Sequence, residues 1–216
     1  MRVIIQAVRV AAVTLVLTGL LYPLLMTGLA QLLFSHRAEG SLVVDEKGVV
    51  VGSELVAQAF TAPGYLQPRP SAAGDKGYDP LASGGSNLGP TSTKLRQRVA
   101  EDVKRLRAEN PEAPPAVPAE LVTTSASGLD PHLTPGAAAW QAHRIAAARG
   151  VAQQRILDVL EEATEGRDLG FLGEPRVNVL TANLALDRRF GRLVLPPAPP
   201  APAPAPAAAP AGQATP

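Results

Sequence analysis

The sequence predicts an α+β fold carried on one membrane helix. Three features carry that reading: an uncharged apolar run at 10–34, helical stripes at 92–109, 134–150 and 152–165, and short β-branched runs near 42–51 and 176–179. The strands and helices come in mixed order without regular βαβ alternation, which favours α+β over a parallel α/β sheet. The chain has 216 residues, enough for one domain with appendages.

Nothing between Arg9 and His36 is charged, and 10–34 gives 25 mostly apolar positions. A hydrocarbon core of about 30 Å needs about 20 helical residues, so the run is long enough to span. Thr14, Thr18 and Thr27 can return their hydroxyls to backbone carbonyls. Pro23, after Tyr22, removes a backbone donor and is expected to kink the helix. Gly19 and Gly28 allow close approach of another helix without forming the small-xxx-small spacing. Gly19, Tyr22, Pro23 and Gly28 are therefore the candidate packing residues of the span. The rival reading is a cleaved signal peptide with Gly28-Leu29-Ala30 as the cleavage site, but a signal core runs about 7–15 residues, and the length favours an anchor. Arg2 and Arg9 favour a cytoplasmic N-terminus at 1–9, which puts the main domain at 35–195 outside the cytoplasm. Setting those two aside, 18 basic and 19 acidic residues remain, giving no polybasic lipid-binding surface.

Residues 41–51 read as a hairpin, with Leu42-Val43-Val44 and Val49-Val50-Val51 around Asp45-Glu46-Lys47-Gly48. Gly52-Ser53 predicts a short capped helix over 54–60. Residues 62–90 are too rich in glycine and proline for regular elements, and Tyr65 and Tyr78 mark them as an ordered loop. Thr91 or Ser92 caps a helix to about 109 with Leu95, Val99, Val103 and Leu106 inward, and Pro111 stops it. Its basic face reads as solvated. A short buried segment at 117–122 and a polar turn at 123–131 follow. Thr134-Pro135 starts a helix that Gly150 ends. A second helix spans 152–165 with Ile156, Val159, Leu160 and Ala163 inward. Residues 176–186 read as a strand passing into a short helix. From Pro196 the chain is almost entirely Pro and Ala, with nine of the 22 prolines in 196–216. That composition predicts a disordered, semi-extended arm of up to about 65 Å at roughly 3.1 Å per residue.

Composition excludes several functions. A formal charge of +1 argues against nucleic acid as a partner. The absence of cysteine excludes disulfides, thiolate metal sites and a cysteine nucleophile. Residues 84–91 match the spacing of a phosphate loop, yet Pro90 replaces its lysine and no strand precedes it, which leaves a tight glycine loop. Ser125, Ser127, Asp130 and His132 are the residue types of a hydrolytic triad, but they crowd one turn without a G-x-S-x-G elbow. His36, His132 and His143 lack metal-ligand spacing. Trp140 reads as a packing anchor.

One ordered set of motifs goes further. It comprises Gly52-Ser53-Glu54-Leu55-Val56-Ala57-Gln58-Ala59-Phe60, Tyr65 with Arg69-Pro70-Ser71-Ala72, Tyr78-Asp79-Pro80, and Ser83-Gly84-Gly85-Ser86-Asn87-Leu88-Gly89-Pro90. Thr124-Ser125-Ala126-Ser127-Gly128-Leu129-Asp130-Pro131-His132 follows, then Gln141, Arg144, Ala148-Arg149-Gly150, and Gly173-Glu174-Pro175-Arg176-Val177-Asn178-Val179-Leu180 with Asn183. Together they resemble the C subunit of the bacterial Kdp-type potassium-transporting ATPase, from the apolar helix to about Asp187. Leu66 stands where that family often has Phe, and Thr181-Ala182 replaces a commonly more acidic pair.

The resemblance implies a single-pass inner-membrane subunit. Its implied partners are membrane lipid, a channel-like potassium-translocating subunit, a P-type ATPase subunit and a small hydrophobic subunit. It implies an accessory and assembly role, described for the family as raising the ATP affinity of the pump subunit. ATP and potassium are used by the complex, and no cofactor is assigned to this chain, which lacks the Asp-Lys-Thr-Gly phosphorylation motif. Residues 82–86 are distantly similar to the Leu-Ser-Gly-Gly-Gln signature of ABC proteins, but the expected topology separates them from cytoplasmic ATP. Arg69, Ser71, Ser86, Asn87, Ser127, Asp130, His132, Asn178 and Asn183 are the expected loop-organising or partner-contact residues. The competing classes are an anchored hydrolase using Ser127, Asp130 and His132, and an envelope scaffold using the Pro/Ala arm.

Overall fold

The computed structural model describes residues 1–45 and 48–193, and the expected Pro/Ala arm at 196–216 lies outside them. The chain begins with α1 (Arg2–Val16), passes through π-helical turns at Leu17–Leu21 and continues as α2 (Tyr22–Ala38). The whole 37-residue helix has a mean hydropathy of 2.1 in its most apolar window, and none of that window is buried against the domain. At about 1.5 Å per residue it extends about 55 Å, more than the roughly 30 Å of a hydrocarbon core.

At Pro23 the helix is carried through by a π turn. The Tyr22 N–H donates to the Leu17 carbonyl five residues back, and Tyr22 keeps helical angles (φ −62°, ψ −50°). Widening to a π turn relieves the i−4 alignment in which a proline ring and a carbonyl collide, so the helical run continues past Pro23. Non-helical backbone falls instead at Phe34 (φ −141°, ψ 43°), near the helix end.

The hairpin forms as β1 (Leu42–Val44) and β2 (Val50–Ser53), antiparallel with an irregularity between Val43 and Val44. The helix expected over 54–60 does not form. Gly52 and Ser53 belong to β2, the Ser53 hydroxyl donates to the Gly40 carbonyl, and the Ala57 N–H crosses to the Leu129 carbonyl. Those long-range bonds take the groups a helix would need. Residues 54–92 then run as an irregular layer to α3 (Thr93–Glu109), where the Ser92 hydroxyl caps the Leu95 N–H.

After a 3₁₀ turn at Ala119–Leu121 comes β3 (His132–Leu133), a strand the sequence did not disclose. The single helix expected over 134–150 is two: α4 (Pro135–Trp140), capped by Thr134, and α5 (Ala142–Arg149), closed by left-handed Gly150. They break at Gln141, whose ψ of −9° ends α4. Next, α6 (Gln153–Glu162) stops earlier than expected, because Thr164–Glu165 is strand β4. Then β5 (Arg176–Asn178) leads directly into α7 (Val179–Phe190), longer than the short helix expected. The three-stranded sheet has the order β3-β5-β4, antiparallel throughout, pairing Leu133 with Val177 and Thr164 with Val177.

One apolar core joins these pieces. Ile145, Ile156, Leu133, Val177 and Leu186 are almost fully buried, with Leu66 of the irregular layer among them. Small residues Ala137, Ala138, Ala142 and Ala182 let the helices approach closely. This is how a chain with 4% aromatics still fills its interior.

Candidate functional site

The irregular layer from 54 to 92 has local turns of its own and is anchored by many bonds from outside. Its centre is the dipeptide Leu66-Gln67. The Asn183 side chain on α7 accepts from the Leu66 N–H at 2.7 Å and donates to the Leu66 carbonyl at 2.9 Å. At the helix break, Gln141 does the same for the next residue, accepting from Gln67 N–H at 2.9 Å and donating to its carbonyl at 3.0 Å. Two side-chain amides thus replace a neighbouring strand. Both are almost fully buried, where an unpaired backbone group would be costly.

Two arginines of α5 complete this clamp. Arg144 donates to the Pro63 and Tyr65 carbonyls and to Gln141 Oε1. Burial pulls its ionisation down to about 10, and the three acceptors compensate for the lost water. Arg149, whose side chain is 1% exposed, pairs with Asp187 at 2.8 Å. It also reaches the Gly64, Leu186 and Gly191 carbonyls and lies over the Tyr65 ring, 5.0 Å from its centroid. The Tyr65 hydroxyl donates to Asp187. Burial, with Asp187 beside it, raises that hydroxyl's pKa.

A second cluster ties 69–86 to 124–132. Arg69 donates to Asp130 at 3.1 Å and to the Thr124 carbonyl at 3.3 Å. Ser71 donates to the Gly128 carbonyl and accepts from the Ala73 and Tyr78 amides. The Tyr78 hydroxyl donates to the Arg69 carbonyl, and burial pushes its pKa up to about 12. Ser86 accepts from the Thr124 hydroxyl. The Gly84 N–H and the Ser83 hydroxyl both donate to the Ser127 carbonyl, so the glycine loop resembling a phosphate loop is strapped to the protein. Asn87 is exposed in the left-handed region, φ 51°.

The hydrolytic triad does not assemble. Ser127 Oγ accepts from Leu129 N–H and lies 3.4 Å from Ser125 Oγ, and among the described residues no hydrogen bond joins it to His132. Asp130 accepts from the His132 N–H, with His132 Nδ1 at 3.6 Å. The His132 ring and N–H, followed by Arg69, hold its carboxyl below the usual range against the opposing effect of burial. The hydrolase reading gains no support from this geometry.

A third set links the apolar helix to the domain. Asn178 caps α7 by accepting from the Leu180 and Thr181 amides, and its Nδ2 donates to the Glu54 carbonyl at 2.7 Å. Glu54 in turn lies 3.6 Å from His36 on α2, and its N–H donates to Ser41. On the helix itself, Tyr22 is 61% exposed and Gly28 has open space where a side chain would stand.

Gln141, Arg144, Arg149 and Tyr65 belong to the motif set but not to the nine expected site residues, and Asp187 stands only at the end of the resembling stretch. Their signal was present: long polar side chains at 141, 144 and 149 in an alanine-rich helix whose alanines are needed for close packing.

Fold and contacts together define a class: a small α+β domain, braced by its own motif residues, on one helix long and apolar enough to cross a membrane. Residues 4–188 match the family described as K+-transporting ATPase, c chain. The chain is 66% identical to the potassium-transporting ATPase KdpC subunit of Myxococcus xanthus over 189 residues, which is 88% of this chain and 89% of that protein. The same-named subunits of Rhodospirillum rubrum (55%, covering 83% and 92%) and Caulobacter vibrioides (51%, covering 81% and 87%) are also similar. The chain belongs to the KdpC family and is an accessory subunit of a potassium-uptake ATPase complex.

Proposed function

We propose that this subunit acts without chemistry of its own, as a brace between membrane-embedded partners. The observation that supports this is the orientation of its motif residues. Arg69, Ser71, Ser86, Ser127, Asp130, His132, Asn178 and Asn183 bond to the protein's own loops, whereas α1 and α2 bury none of their residues. In this reading the helix packs on the channel-like potassium-translocating subunit through Gly19, Tyr22, Pro23 and Gly28. The domain, outside the cytoplasm, keeps that subunit joined to the P-type ATPase subunit and the small hydrophobic subunit. Asn87 is the motif residue that faces a partner. ATP and potassium are handled by those partners. Any rise in ATP affinity then comes from this subunit binding one conformation of the pump more tightly than another.

The experiment is a mild-detergent pull-down of the tagged chain from potassium-starved membranes, with mass spectrometry and a potassium-stimulated ATPase assay. Recovery of a P-type and a channel-like subunit with activity is expected. Exchange of 10–34 for an unrelated spanning helix should lower the yield of complex, and an unchanged yield would defeat the packing claim. Because the chain has no cysteine, Lys76→Cys also tests topology: it should react with an impermeant maleimide in intact cells.

A further inference from the structure

A cleft of about 380 Å³ separates α3 from the irregular layer, lined by Phe60, Pro68, Pro70, Tyr78, Arg105 and Leu106 among others. Its volume falls within the range of small-ligand sites, about 300–1,000 Å³. Its lining carries one guanidinium against two carboxylates, and that guanidinium is already paired. Arg105 pairs with Asp102 at 3.1 Å and with Glu109 at 3.1 Å, so the guanidinium and both carboxylates of this wall are drawn to one another. The cleft therefore favours an uncharged occupant over a phosphate or a carboxylate.

Aromatic rings set beside prolines make the kind of wall that accepts a polyproline II segment. Such a segment presents carbonyl acceptors and few N–H donors, so its site must supply donors. Thr61 and Gln67 also line the cleft, and Gln141 holds Gln67 by its backbone, leaving the side-chain amide clear of that contact.

The chain leads to this place. Arg149 holds the Gly191 carbonyl at 3.0 Å. Two residues on, the Leu193 backbone meets the Tyr65 hydroxyl and the Leu193 side chain covers Gly64. The Tyr65 ring packs on Phe60 with centroids 5.8 Å apart, and Phe60 is a wall of the cleft. The described chain thus ends one aromatic ring from the cleft, and Pro196 follows three residues later. Pro196 and Pro199, like Pro197 and Pro200, repeat at the three-residue period of polyproline II.

We propose that the Pro/Ala segment beginning at Pro196 binds back into this cleft as an intramolecular polyproline II ligand. A short tether gives an effective concentration in the millimolar range, so weak intrinsic affinity suffices. The segment then covers the wall where α3 meets the irregular layer and competes with any other uncharged, proline-rich chain for it.

The test is hydrogen–deuterium exchange on the detergent-solubilised full chain, against a chain ending at Leu195. Truncation is expected to speed exchange several-fold in 60–70 and 102–109. A full-length variant with Pro196, Pro197, Pro199 and Pro200 all changed to Gly should behave like the truncation. A synthetic peptide of residues 196–211, added at millimolar concentration to the truncated chain, should restore protection. Identical exchange in all three chains overturns the proposal, as does a change confined to other segments. Protection of 60–70 that appears in the assembled complex whether or not the tail is present also overturns it, since another subunit then fills the cleft.

Discussion

Asn183 on α7 satisfies both backbone hydrogen-bonding groups of Leu66, 117 residues away, at 2.7 and 2.9 Å. The side chain thereby acts as one rung of a β-ladder in a region with no strand. Replacing it by alanine orphans a buried N–H and a buried carbonyl. Asn183→Ala should cost about 2–4 kcal/mol, read as a fall in unfolding midpoint by the fluorescence of buried Trp140. Asn183→Asp is expected to do no better, because a carboxylate faces the Leu66 carbonyl without a proton to donate. Gln141→Glu is expected to be milder, because Arg144 lies 2.7 Å from Gln141 Oε1 and pairs with the new charge. Equal losses for Asn183→Asp and Gln141→Glu would refute this reading of the two amides.

Arg149 should not tolerate lysine. Its fork meets Gly64, Leu186, Gly191 and Asp187 at once while its plane covers Tyr65. A lysine ammonium has three donors on one atom and cannot reproduce that spread. Arg149→Lys is expected to cost about 3 kcal/mol, near the low end of breaking a buried pair. In a domain of this size that lowers the midpoint by roughly 6–12 °C. A shift within about 2 °C of wild type would show that the fork geometry is unimportant.

Local signals were legible where local chemistry decides. Ser92, Thr134 and Gly150 mark helix ends because a side-chain oxygen or a left-handed residue acts within one turn. The losses came where distant groups decide. Gly52-Ser53 looks like a cap, and Ser53 accepts from the Leu55 and Val56 amides. Its hydroxyl donates to Gly40, however, while the Glu54 and Ala57 amides go to Ser41 and Leu129, so no helix propagates. Gln141 looks like a helix interior, yet its amide holds Gln67 across 74 residues. The pairing of Thr164 and Leu133 with Val177 depends on a strand order that period alone cannot supply. The motif residues were identifiable as a set, but nothing in their order or spacing tells an inward bond from an outward contact.

Acid should weaken the second cluster through Asp130. Its folded-state pKa is depressed by the His132 ring and N–H and by Arg69, so the stabilisation is complete above the unfolded carboxylate value of about 3.9. It is lost as pH falls through the lower, folded value. Asp130→Asn removes the charge and keeps the shape. The stability gap between wild type and Asp130→Asn should hold at pH 5 and shrink at pH 3. A gap of the same size at both would mean that the carboxylate charge contributes nothing.

Two left-handed glycines separate conformational strain from collision. Gly150 has φ +64° and Gly128 has φ +67°, so alanine meets a similar backbone penalty at each. Around Gly150 there is nothing within 4 Å of an added methyl group, and Gly150→Ala should cost only the left-handed term, about 1–2 kcal/mol. At Gly128 the methyl would sit 2.5 Å from the Gly84 carbonyl oxygen and 2.8 Å from the Ala73 nitrogen. Both are backbone atoms that no side-chain rotation can clear. The loop carrying Gly84 must then move, breaking the bonds from Gly84 and Ser83 to Ser127 and from Ser71 to Gly128. Gly128→Ala is therefore expected to lose at least about 2 kcal/mol more than Gly150→Ala, since several hydrogen bonds of about 1 kcal/mol each go with it. Amide exchange should localise the added loss to 71–86. Equal destabilisation of the two variants would show that these two loops part at little cost, and the bracing described for Ser71, Ser127 and Gly128 would fail.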